Sequence, residues 1–228
     1  MKRSRINDIM QSAEGFIQKC GFYLPPFAQW TPEDWRKKGS EATFIVENNL
    51  GWDVTDFGSG DFDQKGLFLF TLRNGNLHKP GNVLYAEKLM VVGINQITPM
   101  HFHRNKSEDI INRSGGKLIV QLYLSTNDEQ LDKKSDVRVL IDGQFNDIPA
   151  GKIIELKPGQ SITMIPLLYH CFWGKDGRVL VGEVSSVNDD HSDNRFLEPQ
   201  ARFPTIEEDV APLHLLVGDY LNYYQNRG

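Results

Sequence analysis

The sequence predicts a mainly β protein, an antiparallel jelly-roll barrel with helical flanks at its N-terminal and C-terminal ends. Short runs rich in Val, Ile, Leu, Phe and Thr follow one another between residues 66 and 187, and Asn-Gly, Pro-Gly and Asp-Gly pairs separate them as turns. Helical spacing of apolar residues occurs before and after this region. Regularly spaced strands without helices between them are typical of an antiparallel sandwich or barrel.

The 228 residues suffice for one large domain, and no internal repeat or low-complexity linker divides them. We therefore expect a single domain over 1–228. A helical flank covers about 1–65, the barrel about 66–187, and a lid loop with a tail about 188–228.

Two helices are predicted in the N-terminal flank. Apolar residues recur at helical spacing over 4–20, and Gly21 supplies a stop. Thr31 is a predicted N-cap, followed by proline and two acidic residues, and Gly39 closes this second helix. The pattern over 41–50 does not decide between helix and strand.

The barrel region predicts nine strands, and the tail a weak helix. The tail places Leu213, Leu216, Val217, Tyr220 and Leu221 at helical spacing. The predicted strands are 67–73, 83–97, 101–103, 117–125, 137–142, 153–156, 161–165, 170–173 and 179–187.

Four side chains predict a metal site inside this barrel. His101 and His103 are one residue apart, so on a strand both imidazoles leave the same face. Glu108 follows after a short turn, and His170 begins another β-like run. Imidazoles with a carboxylate form a ligand set that Mn, Fe, Co, Ni and Zn all accept. A lone histidine is more often structural, but this cluster favours a ligand role.

Composition excludes several classes of partner. The formal net charge of −5 argues against nucleic acid, and no segment has the length and apolarity to cross a bilayer. The basic start lacks the apolar run of a secretory signal. Cys20 and Cys171 are too few for a disulfide framework, so we expect reduced cysteines and a cytoplasmic protein.

The two histidine clusters resemble the motifs of the cupin superfamily. The first cupin motif is His-x-His, three or four residues, Glu, six residues and Gly, and here Glu108 and Gly115 follow His101-Phe-His103 at that spacing. In the second motif, Leu168 stands where a glycine is usual, but His170 is still the natural fourth ligand.

Longer segments resemble the D-lyxose isomerase family of sugar isomerases, from about residue 84 to 220. They are EKLMVVGINQITPMHFHRNKSEDIINRSGG, EVSSVNDDHSDNRF and RFPTIEEDVAPLHLL. The resemblance implies a homodimer with one divalent metal ion per chain, Mn²⁺ being preferred. It also implies that the substrates are free pentoses and hexoses, with D-lyxose converted to D-xylulose and D-mannose to D-fructose.

Such an isomerisation needs a group that moves a proton between C1 and C2. Glu183 is the predicted base, because it lies in the apolar run GRVLVGEVSSV, where burial would raise its pKa. Proton transfer through a cis-enediol is favoured over hydride shift, since enzymes of the latter type usually use paired metals. An edge-strand Glu183 facing solvent is the alternative.

Further candidates contact the substrate or its oxygens. Lys106 lies between two predicted ligands, and Lys88 shares a strand face with Met90 and Val92, so both are predicted catalytic residues; solvated lysines are the alternative. The polar loop after residue 187 is the predicted lid, where short side chains can bind hydroxyl groups. Its predicted sugar contacts are Asp190, Asp193 and Arg195.

Two other functions fit the same ligands. An iron-dependent cupin dioxygenase would use these four residues, and a non-catalytic sugar-binding cupin would need no base. A phosphosugar substrate is disfavoured because the lid is rich in Asp and poor in Arg and Lys.

Overall fold

A computed structural model describes residues 1–79, 81–189, 192–201 and 203–224. Antiparallel strands form most of the structure, and the N-terminal helix packs on one face of the sheet. No helix in these described ranges is long and apolar enough to cross a membrane. In chain order, the helices and strands are α1 (Arg3–Lys19), α2 (Pro32–Lys38), α3 (Thr43–Glu47), β1 (Gly51–Thr55), β2 (Leu67–Arg73), β3 (Tyr85–Val92), β4 (His101–His103), β5 (Glu108–Ser125), β6 (Leu131–Asp132), β7 (Val137–Ile141), β8 (Gln144–Ile148), β9 (Ile153–Leu156), β10 (Ser161–Met164), β11 (Leu168–Ser186), β12 (Asn194–Phe196) and α4 (Tyr220–Tyr223).

The strands form one sheet in the order β1-β2-β3-β11-β5-β10-β7-β8, and β4, β6, β9 and β12 attach beside this path. Every pair of strands is antiparallel, which confirms the predicted fold class. The path ends at β1 and β8, and no pairing among the described residues closes it into a ring. The long strands β5 and β11 lie at its centre and pair along most of their length.

Strand alternation separates two apolar layers. On β2, Phe68 and Phe70 face α1, whereas Leu69 faces the inner layer. On β3, Met90 also faces inward. The α1 side chains that cover the outer face are Ile6, Ile9, Met10, Ala13 and Ile17. Burying each large apolar side chain contributes roughly 1.5–3 kcal/mol, so α1 is fixed to the sheet by its apolar face.

The helical flank agrees with most of its prediction. Helix α1 ends one residue before Cys20, and α2 begins after a capping box in which Thr31 and Asp34 bond each other's backbone N–H groups. The undecided segment 41–50 is helical over α3. Strand β1, however, lies inside the predicted helical flank. This strand was not predicted, because the run is only five residues long and all five residues are buried.

A bulge corrects the prediction of separate strands at 170–173 and 179–187. The chain is continuous as β11, with register shifts between Lys175 and Val179 and between Leu180 and Val181. Glycines permit this, because a Cβ at Gly116 would lie 2.5 Å from the Lys175 carbonyl oxygen. Likewise, β5 begins at Glu108 rather than near residue 117.

The C-terminal flank is shorter than predicted. Only a 3₁₀ turn and the single turn of α4 are helical between residues 217 and 223. The tail is held by polar contacts: buried Arg3 donates to Asp219 and Glu208, and the Tyr220 hydroxyl donates to the Leu50 carbonyl.

Candidate active site

Three histidines meet on the inner face of the sheet. On β4, His101 and His103 share a face because only Phe102 separates them, and His170 on β11 lies opposite His101 in the ladder. One ring nitrogen from each lies within 4.8 Å of the others. All three are buried, with the His101 and His170 ring centroids 4.2 Å apart. The predicted histidine cluster therefore exists as a compact triad.

Backbone carbonyls fix the ring orientation of two of these histidines. His101 Nδ1 lies 2.8 Å from the Pro99 oxygen, and His170 Nδ1 lies 2.9 Å from the Leu168 oxygen. A carbonyl oxygen only accepts, so each Nδ1 carries the proton and each Nε2 offers a lone pair. His170 Nε2 is buried without a hydrogen-bond partner. A buried unpaired nitrogen of this kind fits a metal ligand.

Glu108 adds a carboxylate to the triad. Its Oε1 lies 3.2 Å from His170 Nε2 and 3.5 Å from His103 Nε2. Its other oxygen, Oε2, lies 2.6 Å from Lys106 Nζ. Three imidazoles and a buried carboxylate suit a divalent cation, so the residues fit the implied metal. The metal itself and the ligand roles stay predictions.

The protonation states favour metal binding. Burial lowers the pKa of His101 well below its usual value, and the neighbouring His170 and His103 lower it further. Burial also lowers the pKa of His103, although Glu108 opposes this. Both imidazoles are therefore neutral near pH 7, as metal ligands must be.

Two lysines and a second carboxylate lie beside the triad. Lys106 Nζ donates to Glu183 Oε1 at 2.8 Å and so bridges Glu183 to Glu108. Lys88 pairs with Glu183 in the β3–β11 ladder, and its Nζ lies 3.3 Å from the same oxygen. The Ser185 hydroxyl donates to that oxygen at 3.2 Å. Each of these three charged side chains is less than 7% exposed and lines the cavity, so the solvent-facing alternatives do not hold.

The expectation of a raised Glu183 pKa is wrong. Burial alone would raise it, but Lys106 and Lys88 outweigh burial and hold the pKa below its usual value. Glu108 behaves in the same way. Burial would raise its pKa, but the neighbouring Lys106 outweighs burial and holds the pKa well below its usual value. Burial would lower the pKa of Lys106, yet its two carboxylate partners raise it. Glu108, Glu183 and Lys106 are thus all ionised at neutral pH.

These groups open onto one narrow cavity with about 480 Å³ of empty space, its mouth included. Apolar side chains of the inner layer form much of the remaining wall, together with Phe57, Thr98, Asn194 and Phe196. The lining residues are Phe57, Leu67, Leu69, Lys88, Met90, Thr98, His101, His103, Lys106, Glu108, Ile110, His170, Phe172, Glu183, Asn194 and Phe196.

The predicted lid residues are placed differently from the expectation. Residues 194–196 form strand β12 on β4, with Arg195 opposite Phe102, so Arg195 faces away from the histidines. Its Nε donates to Glu129 Oε2 at 2.7 Å. Asp193 is 6% exposed and accepts from the backbone N–H groups of Asn105 and Lys106, which fixes the ligand-bearing turn. Neither lines the cavity, and Asp190 lies outside the described residues.

Sequence reasoning did not assign other residues of the cavity wall to the site, among them Thr98, Asn194 and Phe196. Asn194 and Phe196 lie opposite His103 and His101, and alternation would have identified them had β12 been recognised. The Thr98 hydroxyl is buried without a hydrogen-bond partner. No local pattern marks Thr98, because it lies in the irregular segment before β4.

Comparison with known proteins gives consistent matches. A protein-family model described as D-lyxose isomerase matches residues 1–220. A D-lyxose/D-mannose isomerase of Serratia proteamaculans is 48% identical over 227 residues, covering 98% of this chain and 99% of the relative. One from Escherichia coli O157:H7 is 47% identical over 227 residues, covering 98% and 100%. The structure of a Cellulomonas parahominis L-ribose isomerase with L-psicose has a TM-score of 0.60 at 13% identity, covering 91% of this chain and 98% of that one, which supports the fold alone.

Proposed function

The chain belongs to the D-lyxose isomerase family, and from that premise we propose that it interconverts D-lyxose with D-xylulose and D-mannose with D-fructose. It is an aldose–ketose isomerase that moves a proton between C2 and C1 through a cis-enediol. The observation that carries the proposal is that Glu183 and the histidine triad line the same buried cavity.

Glu183 is the proposed base. Its lowered pKa keeps it ionised, so it can accept a proton at neutral pH. Among the described residues, Lys106, Lys88 and Ser185 all contact Oε1, which leaves Oε2 for the sugar. The carboxylate takes the proton from C2 of the aldose and returns it to C1, while the hydroxyl proton on O2 passes to O1.

The lysines stabilise the charge that develops on the sugar oxygens. Lys106 and Lys88 hold two ammonium groups beside Glu183, and burial strengthens their field. Both lysines already contact a carboxylate, and no arginine lines the cavity among the described residues. This arrangement supports a neutral sugar rather than a sugar phosphate.

His101, His103, Glu108 and His170 are the proposed ligands of one divalent ion, Mn²⁺ by the family resemblance. When bound, the ion supplies Lewis-acid stabilisation of the sugar oxygens. The described residues offer one such triad, which favours proton transfer over a two-metal hydride shift. Thr98, Asn194 and Phe196 are proposed sugar contacts because they line the remaining wall.

Assembly and compartment are also proposals. The family resemblance supports a homodimer. Cys20 and Cys171 are free thiols, which supports a reducing compartment such as the cytoplasm.

Anaerobic turnover tests the proposed function. Protein stripped with EDTA and reloaded with Mn²⁺ is expected to convert D-lyxose to D-xylulose equally well with and without dioxygen. A requirement for dioxygen would instead favour a cupin dioxygenase. Sugar binding without turnover in any divalent metal would favour a non-catalytic sugar-binding cupin.

A further inference from the structure

Two asparagines lie behind the catalytic lysines. Asn188 follows the end of β11, and its Oδ1 accepts from Lys88 Nζ at 2.6 Å and from Lys106 Nζ at 3.4 Å. For Lys88 this contact is shorter than the 3.3 Å separation from Glu183. Asn188 therefore makes the shorter contact with the Lys88 ammonium group and holds it together with the carboxylate.

Asn74 holds Asn188 in place. The Asn188 backbone N–H donates to Asn74 Oδ1 at 2.9 Å, and Asn74 Nδ2 donates to the Asn188 carbonyl at 3.1 Å. Asn74 Nδ2 also lies 3.3 Å from the Asn48 carbonyl oxygen, and Asn74 is only 4% exposed. Two opposed bonds to one residue's backbone fix its position as a strand pairing would.

A larger cavity lies on the other side of Asn188, with about 1700 Å³ of empty space including open solvent. Asn74, Asn188 and Leu69 line it, and Leu69 also lines the cavity of the histidine triad. Asn188, which contacts both lysines, thus also borders this open and mostly apolar space.

We infer that Asn74 and Asn188 form an asparagine clamp that positions Lys88 and Lys106 for the reaction. This inference rests on the proposed function. Asn188 is a positioning residue, because it acts through the lysines and does not line the cavity of the triad. Displacement of a catalytic group by about 1 Å can cost on the order of 100-fold in rate.

The first test is a kinetic double-mutant cycle on the Mn²⁺-loaded protein. Asn188→Leu keeps the number and branching of the side-chain heavy atoms but removes the acceptor, and is expected to lower kcat about 100-fold with KM and metal content nearly unchanged. Asn74→Ala is expected to lower kcat about 10-fold. The double variant should match Asn188→Leu alone, because both changes act through the same lysines. Asn188→Asp keeps the acceptor oxygen and should recover most of the activity.

Asn76→Ala is the matched control. Asn76 lies two residues from Asn74 and lines the same large cavity, but its amide donates to the Glu47 carbonyl, away from the lysines. The kcat of Asn76→Ala is expected to equal that of the wild type. Independent, multiplicative losses in the double variant would overturn the clamp, as would wild-type kcat in Asn188→Leu.

A second readout does not depend on activity. In protein labelled with ¹⁵N-lysine, the Lys88 ammonium protons should exchange with water faster in Asn188→Leu than in the wild type, and at the wild-type rate in Asn76→Ala. Unchanged exchange in Asn188→Leu would overturn the clamp even if the wild type converted no sugar. Wild-type turnover of D-lyxose, measured alongside, separately decides the proposed function.

Discussion

Replacing Lys106 by methionine is expected to destabilise the metal-free protein strongly at neutral pH. Its Nζ lies 2.6 Å from Glu108 and 2.8 Å from Glu183, so the two carboxylate oxygens are at most about 5.4 Å apart. At an effective dielectric constant of about 20, their repulsion is about 3 kcal/mol. Glu183 keeps its contact with Lys88, but Glu108 loses its lysine. Leaving a buried charge unpaired typically costs about 3–5 kcal/mol, so we expect the free energy of unfolding to fall by about that amount.

The penalty should depend on pH in a defined direction. In the wild type, Glu108 and Glu183 have lowered pKa values, so their contribution is present above the ordinary carboxyl pKa and lost as pH falls below it. Without Lys106, repulsion between the two buried carboxylates raises the pKa of one of them. A carboxyl group with a raised pKa takes up a proton in the folded state as pH falls, which removes the repulsion. The difference in the free energy of unfolding between wild type and Lys106→Met should therefore shrink as pH falls from 7.5 to 5.

Urea unfolding of EDTA-treated protein at both pH values measures this. Lys106→Met with Glu108→Gln should be more stable than Lys106→Met alone, because the repulsion is gone. Lys117→Met is the control, since Lys117 pairs with Glu155 and Asp176 at the surface and should change little. A small penalty for Lys106→Met, equal at both pH values, would refute the ionised cluster.

Three further predictions follow from the site. His170→Ala should weaken Mn²⁺ binding by at least about 100-fold in calorimetry, whereas His214→Gln, outside the triad, should bind like the wild type; equal affinities would contradict the ligand assignment. Thr98→Val removes a buried hydroxyl from the cavity wall and should raise KM for D-lyxose about 10-fold with a smaller change in kcat; an unchanged KM would exclude the contact. Burial lowers the pKa values of His101 and His103, so these histidines take up protons in the unfolded state before they do in the folded state. The free energy of unfolding of the metal-free protein should therefore decrease as pH falls below about 6.5. A free energy of unfolding that did not change down to pH 5 would contradict this.

Short-range periodicity predicted the centre of the site well. The spacing of His101 and His103 fixes a common face, and the alternation of Lys88 with Met90 places the lysine inward. Both inferences need only the period of two along a strand. They hold because β3 and β4 are regular strands without bulges between the residues compared.

Other features depend on contacts that the sequence does not encode locally. His170 and Glu183 are an odd number of residues apart, and only the bulge in β11 turns both inward. The lowered pKa of Glu183 requires two lysines brought from β3 and from the turn before β5. Strand β12 is three residues long and its sequence is typical of a polar loop, so the sequence gives no indication that Arg195 faces away from the histidines.

Deuterium exchange at the sugar tests the central claim most directly. Turnover of D-lyxose in deuterated water by the Mn²⁺-loaded wild type should place deuterium at C1 of D-xylulose. Glu183→Gln should still bind metal and sugar but lose exchange and turnover together by about 1000-fold. Product free of deuterium, or exchange at the wild-type rate in Glu183→Gln, would contradict proton transfer by this carboxylate.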